Sequence, residues 1–265
     1  MDLELAGKVA FVTGGSGGIG RAIAKAFAAE GAAVALTYHQ HEVAAKQVTD
    51  EITGRGGTAL PVSLDLTLAA SIRSAVQRVV DAWGGVDTLV VNASPAAGPS
   101  PDPKRFEDVP VPAWQGQLRA EVEGAFHLTQ AVVPLMRAQH CGRLVFISAS
   151  VVGRGFPGEE AYIASKLALH GLSRTLATEL YADGVLCNVV APGPTITPNL
   201  LSKVAPQVRA EVIAQGPAAG RAALEKAMPQ LRFSTADEVA RVVTFLGSPA
   251  NGNVSGAVVD VSGGM

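Results

Sequence analysis

The sequence predicts an α/β fold, in which a doubly wound parallel sheet of about seven strands is flanked by helices on both faces. Short apolar segments alternate along the chain with segments of helical period, as in a parallel sheet built from crossover units. The apolar segments are continuous, which is typical of strands that are covered on both faces. Residues 13–20, rich in glycine, join the first strand to the first helix and predict a phosphate cradle at the helix N-terminus.

The predicted elements follow one another without a linker or an internal repeat, so a single domain over residues 1–265 is expected. Strands are predicted at residues 9–12, 32–38, 59–65, 86–91, 143–147, 184–191 and 257–261. Helices are predicted at residues 21–27, 42–53, 71–83, 114–139, 161–180 and 235–246, with Ser234 or Thr235 as the last N-cap. Six prolines predict an irregular loop at 95–112, and Pro134 is expected to stop or kink its helix.

Composition narrows the class of protein. The chain is 48% hydrophobic and 17% charged with a net charge of −2, so it lacks the basic excess that favours nucleic acid or an anionic membrane surface. It has no secretory signal pattern and no apolar run near the roughly 20 residues of a membrane helix. Cys141 and Cys187 lie too far apart in sequence for metal-ligand spacing. We therefore expect a cytoplasmic protein with two reduced thiols and no metal site.

Tyr162 and Lys166 are the first candidates for chemistry. Residues four apart on a helix share a face, so the two side chains project together. A nearby ammonium stabilises a phenolate and lowers its pKa from about 10, and such a tyrosine can exchange a proton with a carbonyl–alcohol pair. A solvated helix face gives the same spacing, and on this pair alone that alternative stays open.

Five segments taken together resemble the classical short-chain dehydrogenase/reductase family, and the resemblance spans essentially the whole chain. Residues 13–20 match its cofactor fingerprint, and Asp65 stands where the family holds the adenine ring. Asn92-Ala93 matches the centre of its Asn-Asn-Ala-Gly motif. Tyr162 and Lys166 match its Tyr-x-x-x-Lys, and residues 192–197 match the segment that touches the nicotinamide.

The resemblance implies a Rossmann-type fold and a ketoreductase or alcohol dehydrogenase that uses a nicotinamide cofactor. Tyr162 would be the general acid/base, and Lys166 would bind the nicotinamide ribose and lower the pKa of Tyr162. The implied cofactor contacts are Gly14, Ser16, Gly17, Gly18, Ile19, Gly20, Asp65, Leu66, Asn92, Ala93, Lys166, Pro192, Gly193, Thr195 and Thr197. A homotetramer or homodimer is also implied, built on the helices at 114–139 and 161–180.

The chain departs from the family pattern beside the cofactor. Val91 and Ser94 replace the first Asn and the Gly of Asn-Asn-Ala-Gly. The family's catalytic Asn lies five residues before a Phe, and counting back from Phe126 gives Glu121. A carboxylate there can hold a water or pair directly with Lys166, and both alternatives stay open.

The family's serine is displaced as well. The position thirteen residues before Tyr162 is Ala149, and it is flanked by Ser148 and Ser150. Ser150 is favoured as the third catalytic residue because Ser150-Val151-Val152-Gly153 matches the family's Ser-x-x-Gly. Ser148 remains a candidate, and Ser150 closing a turn is the structural alternative.

The end of the second strand bears on the choice between NADP(H) and NAD(H). An NAD site usually offers a carboxylate there for the ribose hydroxyls, whereas this chain has none before Glu42. His39 or His41 is a candidate contact for a 2′-phosphate, which favours NADP(H). Gly17, where many NADP enzymes of the family carry a basic residue, argues the other way, and solvated loop histidines are the alternative.

Residues 198–233 are predicted to form a lid over the substrate, together with the proline-rich loop. Its apolar residues suggest a hydrophobic carbonyl substrate such as a polyketide, unless they serve only to close the fold: Leu200, Leu201, Val204, Met228 and Leu231. The function predicted is hydride transfer between nicotinamide and a ketone or secondary alcohol. The alternatives are an enoyl or other tailoring reductase and a non-catalytic NADP-binding scaffold.

Overall fold

The centre of the molecule is a seven-stranded parallel sheet. This computed structural model describes residues 1–95 and 105–264. The strands are β1 Val9–Val12, β2 Ala33–Tyr38, β3 Thr58–Ser63, β4 Thr88–Val91, β5 Gly142–Ile147, β6 Val185–Pro192 and β9 Val258–Val261. Their order in the sheet is β3-β2-β1-β4-β5-β6-β9. From β1 the chain adds β2 and β3 on one side, and then returns to add β4 on the other side of β1. This change in strand order makes a crevice at the carboxyl ends of the parallel strands β1 and β4. The predicted fold class is confirmed.

Helices cover both faces of the sheet. The helices are α1 Gly18–Ala29, α2 Glu42–Thr53, α3 Ala69–Trp83, α4 Val111–Leu118, α5 Gly124–Gln139, α6 Glu160–Leu180 and α10 Ala236–Leu246. Apolar residues of α3, α5 and α6 form one buried cluster with the sheet, and those of α1, α2 and α10 form another on the opposite face. None of these described helices is long and apolar enough to cross a membrane.

Strand β1 shows why the apolar runs are continuous. Phe11 belongs to the core cluster on one face, whereas its neighbours Ala10 and Val12 belong to the cluster on the other face. Successive side chains of a strand point to opposite faces, so a strand covered on both sides needs apolar residues at every position. Full burial of a side chain such as Phe11 contributes about 1.5–3 kcal/mol to folding.

The long helix predicted at 114–139 differs in three respects. It begins earlier, as α4 at Val111, with Pro112 in its first turn. Proline is favourable there because the N–H groups of the first turn have no acceptor within the helix, so the missing N–H of proline costs no hydrogen bond. It contains a π-helical turn at Arg119–Glu123 between α4 and α5. Pro134 does not stop it: α5 packs against α3 and β5 and runs through Pro134 to its last residue. Of the predicted loop, residues 96–104 lie outside the described part of the chain.

The predicted lid has its own small core. It contains β7 Thr195–Ile196, α7 Pro198–Ser202, α8 Pro206–Gln215, α9 Pro217–Ala227 and β8 Ser234–Thr235, with β7 paired to β8. Its fully buried residues are Ile196, Val212, Leu224 and Phe233. The apolar residues that suggested a hydrophobic substrate pack against this core. Their apolar character is therefore explained by the packing of the lid and says nothing about the substrate.

The helix that follows the lid is capped as predicted. The Thr235 hydroxyl accepts a hydrogen bond from the Glu238 N–H, and the Glu238 carboxylate accepts one from the Thr235 N–H. This reciprocal capping box fixes the start of α10. Arg221 on α9 also pairs with the Glu238 carboxylate, which ties the lid to the capped end of this helix.

Candidate active site

Thr13 and Asn92 join the loops that follow β1 and β4, at the crevice where the strand order reverses. The buried Thr13 hydroxyl donates to the Val90 carbonyl at 3.2 Å and accepts from the N–H groups of Asn92 and Ala93 at 2.9 Å. The Asn92 amide returns a hydrogen bond to the Thr13 carbonyl at 2.9 Å. Val91, one of the departures from the family motif, is 3% exposed and packs in the core.

The glycine loop is shaped as a cradle. Gly14 has φ +65°, and its N–H donates to the Thr37 hydroxyl at 3.0 Å. A Cβ on Gly20 would lie 2.2 Å from the Gly14 carbonyl oxygen, so only glycine permits the loop to approach helix α1 this closely. Ile19 packs against the core, which orients the first turn of the helix.

The space in front of α1 fits a pyrophosphate. Gly17 is the N-cap of this 12-residue helix and provides no side-chain cap, and a Cβ built on it meets nothing within 4 Å. The first N–H groups of a helix have no acceptor within it, and the position of a Gly17 side chain beside the half-buried Ser16 is open space. Gly18 lies close to Thr197, since a Cβ there would be 3.8 Å from the Thr197 methyl group.

His39 and Asp65 meet beyond the ends of β2 and β3. The His39 Nε2 lies 3.5 Å from an Asp65 carboxylate oxygen. The other Asp65 oxygen accepts hydrogen bonds from Thr67, at 2.6 Å from its hydroxyl and 2.9 Å from its N–H. The hydrogen bonds from Thr67 hold the pKa of Asp65 below its usual value, and the charge of His39 adds a smaller effect in the same direction. Leu66, the next predicted contact, packs against the start of α5, where a Cβ on Gly124 would meet it at 2.8 Å.

The segment after β6 is held by the end of the sheet. Gly193 donates its N–H to the Val261 carbonyl at 2.9 Å, and a Cβ on it would lie 2.9 Å from the Ser262 Cα. The Thr195 hydroxyl donates to the Gly193 carbonyl at 2.9 Å. The Thr197 hydroxyl accepts from the Leu200 N–H at 3.3 Å and caps α7. Pro192 to Thr197 thus passes from the sheet to the lid beside the glycine loop.

Tyr162 and Lys166 lie on α6 where it passes the carboxyl end of β5. Lys166 is 3% exposed, and its ammonium donates to the Ile147 carbonyl at 2.9 Å and lies 5.8 Å from the centre of the Tyr162 ring. Tyr162 is half-buried, and its hydroxyl makes no hydrogen bond within the described residues. The pair therefore presents a phenol that is available to a ligand.

Glu121 pairs directly with Lys166. Its carboxylate is 2.6 Å from the Lys166 ammonium, and the two side chains are 2% and 4% exposed. The Ser94 hydroxyl donates to the other Glu121 oxygen. Of the two alternatives for Glu121, direct pairing is the one that the structure shows, and two departures from the family motif contact each other.

The surroundings of Tyr162 differ from the expectation for its pKa. Burial raises the pKa of Tyr162, and the carboxylates of Glu121 and Glu159 raise it further. The prediction that Lys166 lowers this pKa is wrong for the structure as it stands. The physical reason is chiefly burial, which disfavours the phenolate. In addition, the charge of Lys166 is matched by Glu121 at 2.6 Å.

The two candidate serines differ in their surroundings. Ser148 is 4% exposed, and its hydroxyl lies 2.7 Å from His170 Nε2 and 3.4 Å from the Lys166 carbonyl. Ser150 is half-buried and begins a 3₁₀ turn at Ser150–Gly153 that packs against α6. Its hydroxyl has no hydrogen bond to the described part of the chain. The hydroxyl of Ser148 is thus occupied by the fold, whereas that of Ser150 is not.

Comparison with known proteins decides the family. A family model described as enoyl-(acyl carrier protein) reductase matches residues 14–265. The chain belongs to the short-chain dehydrogenase/reductase family. A 3-oxoacyl-(acyl-carrier-protein) reductase of Aquifex aeolicus (strain VF5) is 35% identical over 266 residues, which cover 100% of both chains.

Two solved structures of this short-chain dehydrogenase/reductase fold are similar over nearly the whole chain. A 7α-hydroxysteroid dehydrogenase complexed with NADH and 7-oxo glycochenodeoxycholic acid has a TM-score of 0.85 and 31% identity, covering 99% of this chain and 96% of that one. L-Sorbose reductase from Gluconobacter frateurii, complexed with NADPH and L-sorbose, has a TM-score of 0.86 and 28% identity, covering 100% of this chain and 98% of that one.

As a short-chain dehydrogenase/reductase, the chain is a nicotinamide-dependent oxidoreductase of carbonyl or CH–OH groups. The fit of its glycine loop to a pyrophosphate is consistent with this class. Among residues 1–95 and 105–264, no three His, Cys, Asp or Glu side chains are grouped as a metal site.

Sequence reasoning missed two polar groups of the site. The first is Glu159, which is 8% exposed and whose charge raises the pKa of Tyr162. The second is His170 beside Ser148, whose pKa is lowered by burial and by the charge of Arg174. Glu159 lies three residues before Tyr162, and His170 lies four residues after Lys166. Spacing by one helical turn from the motif residues is the signal that identifies both.

Proposed function

We propose that this protein is an NADP(H)-dependent ketoreductase that interconverts a ketone and a secondary alcohol. The observation that carries the proposal is the Tyr162 hydroxyl, half-buried beside Lys166 and without a partner in the described chain. Tyr162 donates a proton to the carbonyl oxygen in reduction and accepts it in oxidation. A bound nicotinamide supplies the hydride for the carbonyl carbon.

Other residues bind and orient. Ser150 polarises the substrate carbonyl, which its unoccupied hydroxyl supports, and Lys166 holds the nicotinamide ribose. The glycine loop cradles the pyrophosphate through Gly14, Ser16, Gly17, Gly18, Ile19 and Gly20. Asp65 and Leu66 hold the adenine, and the nicotinamide half is held by Asn92, Ala93, Pro192, Gly193, Thr195 and Thr197.

Preference for NADP(H) over NAD(H) is supported at the end of β2. His39 is exposed and lies beside Asp65, the residue we propose for the adenine. The first carboxylate of this segment, Glu42, acts on Tyr38 and raises its pKa together with burial, so it faces that phenol. We expect His39→Asp to shift the kcat/KM ratio toward NAD(H), because a carboxylate repels a 2′-phosphate and binds ribose hydroxyls. An unchanged ratio contradicts the role of His39, and a shift in His41→Asp alone assigns the contact to His41 instead.

The substrate we propose is a bulky hydrophobic ketone, such as a polyketide. Support comes from two similar proteins: one is named a 3-oxoacyl-(acyl-carrier-protein) reductase, and the other is complexed with 7-oxo glycochenodeoxycholic acid. We also propose that the protein acts in the cytoplasm as a homotetramer or homodimer. Phe126 on α5 and Leu167 on α6, 47% and 44% exposed, support contact between copies on these helices. Light scattering during size-exclusion chromatography measures the state directly.

Turnover tests the mechanism. NADPH oxidation is measured with 3-oxoacyl thioesters and polycyclic ketones, for the wild type, Tyr162→Phe and Ser150→Ala. Loss of the phenolic proton should lower kcat by about 10²–10⁴-fold. Tyr181→Phe is the matched control, since Tyr181 is 58% exposed and lies on the turn Tyr181–Asp183 beyond α6. Full activity in Tyr162→Phe overturns the mechanism.

Reduction of a carbon–carbon double bond is the second candidate, favoured by the description of the matching family model. Enoyl thioesters in the same substrate panel discriminate the two reactions. Turnover of enoyl but not 3-oxoacyl thioesters replaces the ketoreductase proposal. Cofactor binding without turnover of any substrate favours the non-catalytic scaffold.

A further inference from the structure

Ser94, Glu121 and Lys166 form one connected unit beneath Tyr162. One carboxylate oxygen of Glu121 accepts a hydrogen bond from the Lys166 ammonium, and the other accepts one from the Ser94 hydroxyl. Ser94 lies 27 residues before Glu121, and Lys166 lies 45 residues after it, so the three meet only through the fold. Ser94 is exposed, whereas the charged pair is buried, and the unit therefore runs from the surface to the phenol.

Both oxygens of the Glu121 carboxylate have donors, and one of the donors is an ammonium ion. Hydrogen bonds to a carboxylate and an adjacent cation each favour the charge. The Lys166 ammonium in turn has Glu121 and the Ile147 carbonyl as acceptors. The pair is thus an ammonium and a carboxylate whose charges cancel.

Tyr162 is left facing more negative than positive charge. The charged groups around it are Lys166 on its own helix, Glu121 on the π-helical turn and Glu159 at the N-cap of α6. Burial raises the pKa of Glu159; Lys203 from the lid opposes this effect, and the adjacent Glu160 adds to it. With Lys166 matched by Glu121, the carboxylate of Glu159 is a further charge that raises the pKa of the phenol.

We propose that Glu121, fixed by Ser94, cancels the charge of Lys166 and keeps Tyr162 protonated, which tunes the site for carbonyl reduction. This inference rests on the proposed function. In reduction, the Oη–H bond of Tyr162 breaks as the O–H bond of the alcohol forms, and the phenolate regains a proton from solvent. In oxidation the phenol must first lose its proton. Glu121 and Ser94 are positioning residues, since they act through Lys166 and Tyr162.

A titration of the protein without cofactor or substrate tests the inference. The chain has three tyrosines, so the alkaline absorbance change of the wild type minus that of Tyr162→Phe reports Tyr162. We expect Glu121→Gln to lower the midpoint of this ionisation by about one to three pH units, because Lys166 then acts on the phenol unopposed. An unchanged midpoint in a folded variant overturns the proposal.

Two further variants make the titration specific. Glu123→Gln removes an exposed carboxylate on the same turn, paired to Arg119 at 3.6 Å, and should leave the midpoint unchanged. Glu121→Gln combined with Lys166→Met removes both charges and should return the midpoint toward the wild-type value. This double variant also remains informative if Glu121→Gln alone fails to fold. A midpoint in the double variant well below that of the wild type overturns charge cancellation.

Kinetics with the cofactor extend the test. The rates of reduction and oxidation both depend on the ionisation of Tyr162. As the pH rises through the pKa of Tyr162, the rate of reduction should begin to fall and the rate of oxidation should level off, so both pH profiles should break at the same pH. In Glu121→Gln both breaks should move down together by the shift found in the titration. Ser94→Ala should move them the same way by less, and no movement removes Ser94 from the proposal. A lower kcat without any shift contradicts the role of Glu121.

The two proposals fail separately. The titration uses neither ligand, so its failure overturns the inference on Glu121 and leaves the ketoreductase intact. Absence of turnover with the expected titration overturns the proposed function and leaves the charge cancellation standing.

Discussion

Removal of Glu121 is expected to destabilise the protein more than any surface substitution. Glu121→Ala leaves the Lys166 ammonium, 4% exposed, with only the Ile147 carbonyl as a described acceptor. A buried charge without its partner costs about 3–5 kcal/mol, and at this burial water provides little screening. With about 2–4 °C per kcal/mol for a chain of this size, Tm should fall by about 6–20 °C.

The double variant makes the prediction sharper. Replacing both members of a buried pair by Met removes the desolvation cost of both charges, so Glu121→Met/Lys166→Met should be more stable than Glu121→Ala alone. Urea unfolding followed by circular dichroism gives the free energies. Glu123→Ala on the same turn, whose ion pair is 60% exposed or more on both sides, should cost less than about 1 kcal/mol. A cost below about 1 kcal/mol for Glu121→Ala, or additive costs in the double variant, refutes the reasoning.

The remaining predictions concern the glycine loop, the lid and a buried thiol. Gly20→Ala should abolish cofactor binding by calorimetry, because its Cβ would lie 2.2 Å from a carbonyl of the loop, whereas Gly17→Ala, with open space around it, should leave stability unchanged. Arg221 holds the pKa of Glu238 at about 2, so the stability that the ionised carboxylate contributes above pH 4.5 is lost as the pH falls toward 2. The difference in the free energy of unfolding between wild type and Glu238→Gln should therefore shrink between pH 4.5 and 2. Burial raises the pKa of Cys187 to about 12, and this thiol should react with a disulfide reagent only after unfolding, measured against urea concentration.

The sequence by itself was sufficient for the fold class. Each strand is buried on both faces, so its apolar run is visible locally, and each crossover helix shows its own period. The glycine loop and the Tyr162–Lys166 spacing are also local, because one turn or one helix fixes their geometry. The cap at Thr235 follows from residues three apart for the same reason.

Packing overrode the local signals in two places. Pro134 predicts that its helix stops or kinks, yet α5 continues through it and packs against α3 and β5. The apolar residues of the lid were ambiguous between substrate and core, and only the position of Ile196, Val212 and Phe233 beneath them decided for the core. A local pattern cannot contain these contacts, since they join segments distant in sequence.

The electrostatics of the site were decided by the tertiary structure alone. From the sequence, Glu121 had two possible roles, and Lys166 was expected to lower the pKa of Tyr162. Three segments distant in sequence place Ser94, Glu121 and Lys166 in contact. The pKa of Tyr162 is raised, chiefly by burial and further by the carboxylates of Glu121 and Glu159. The interaction between two charges depends on their distance and on their burial. The sequence can therefore identify the ionisable groups of the site, but only the fold determines how each one changes the pKa of another.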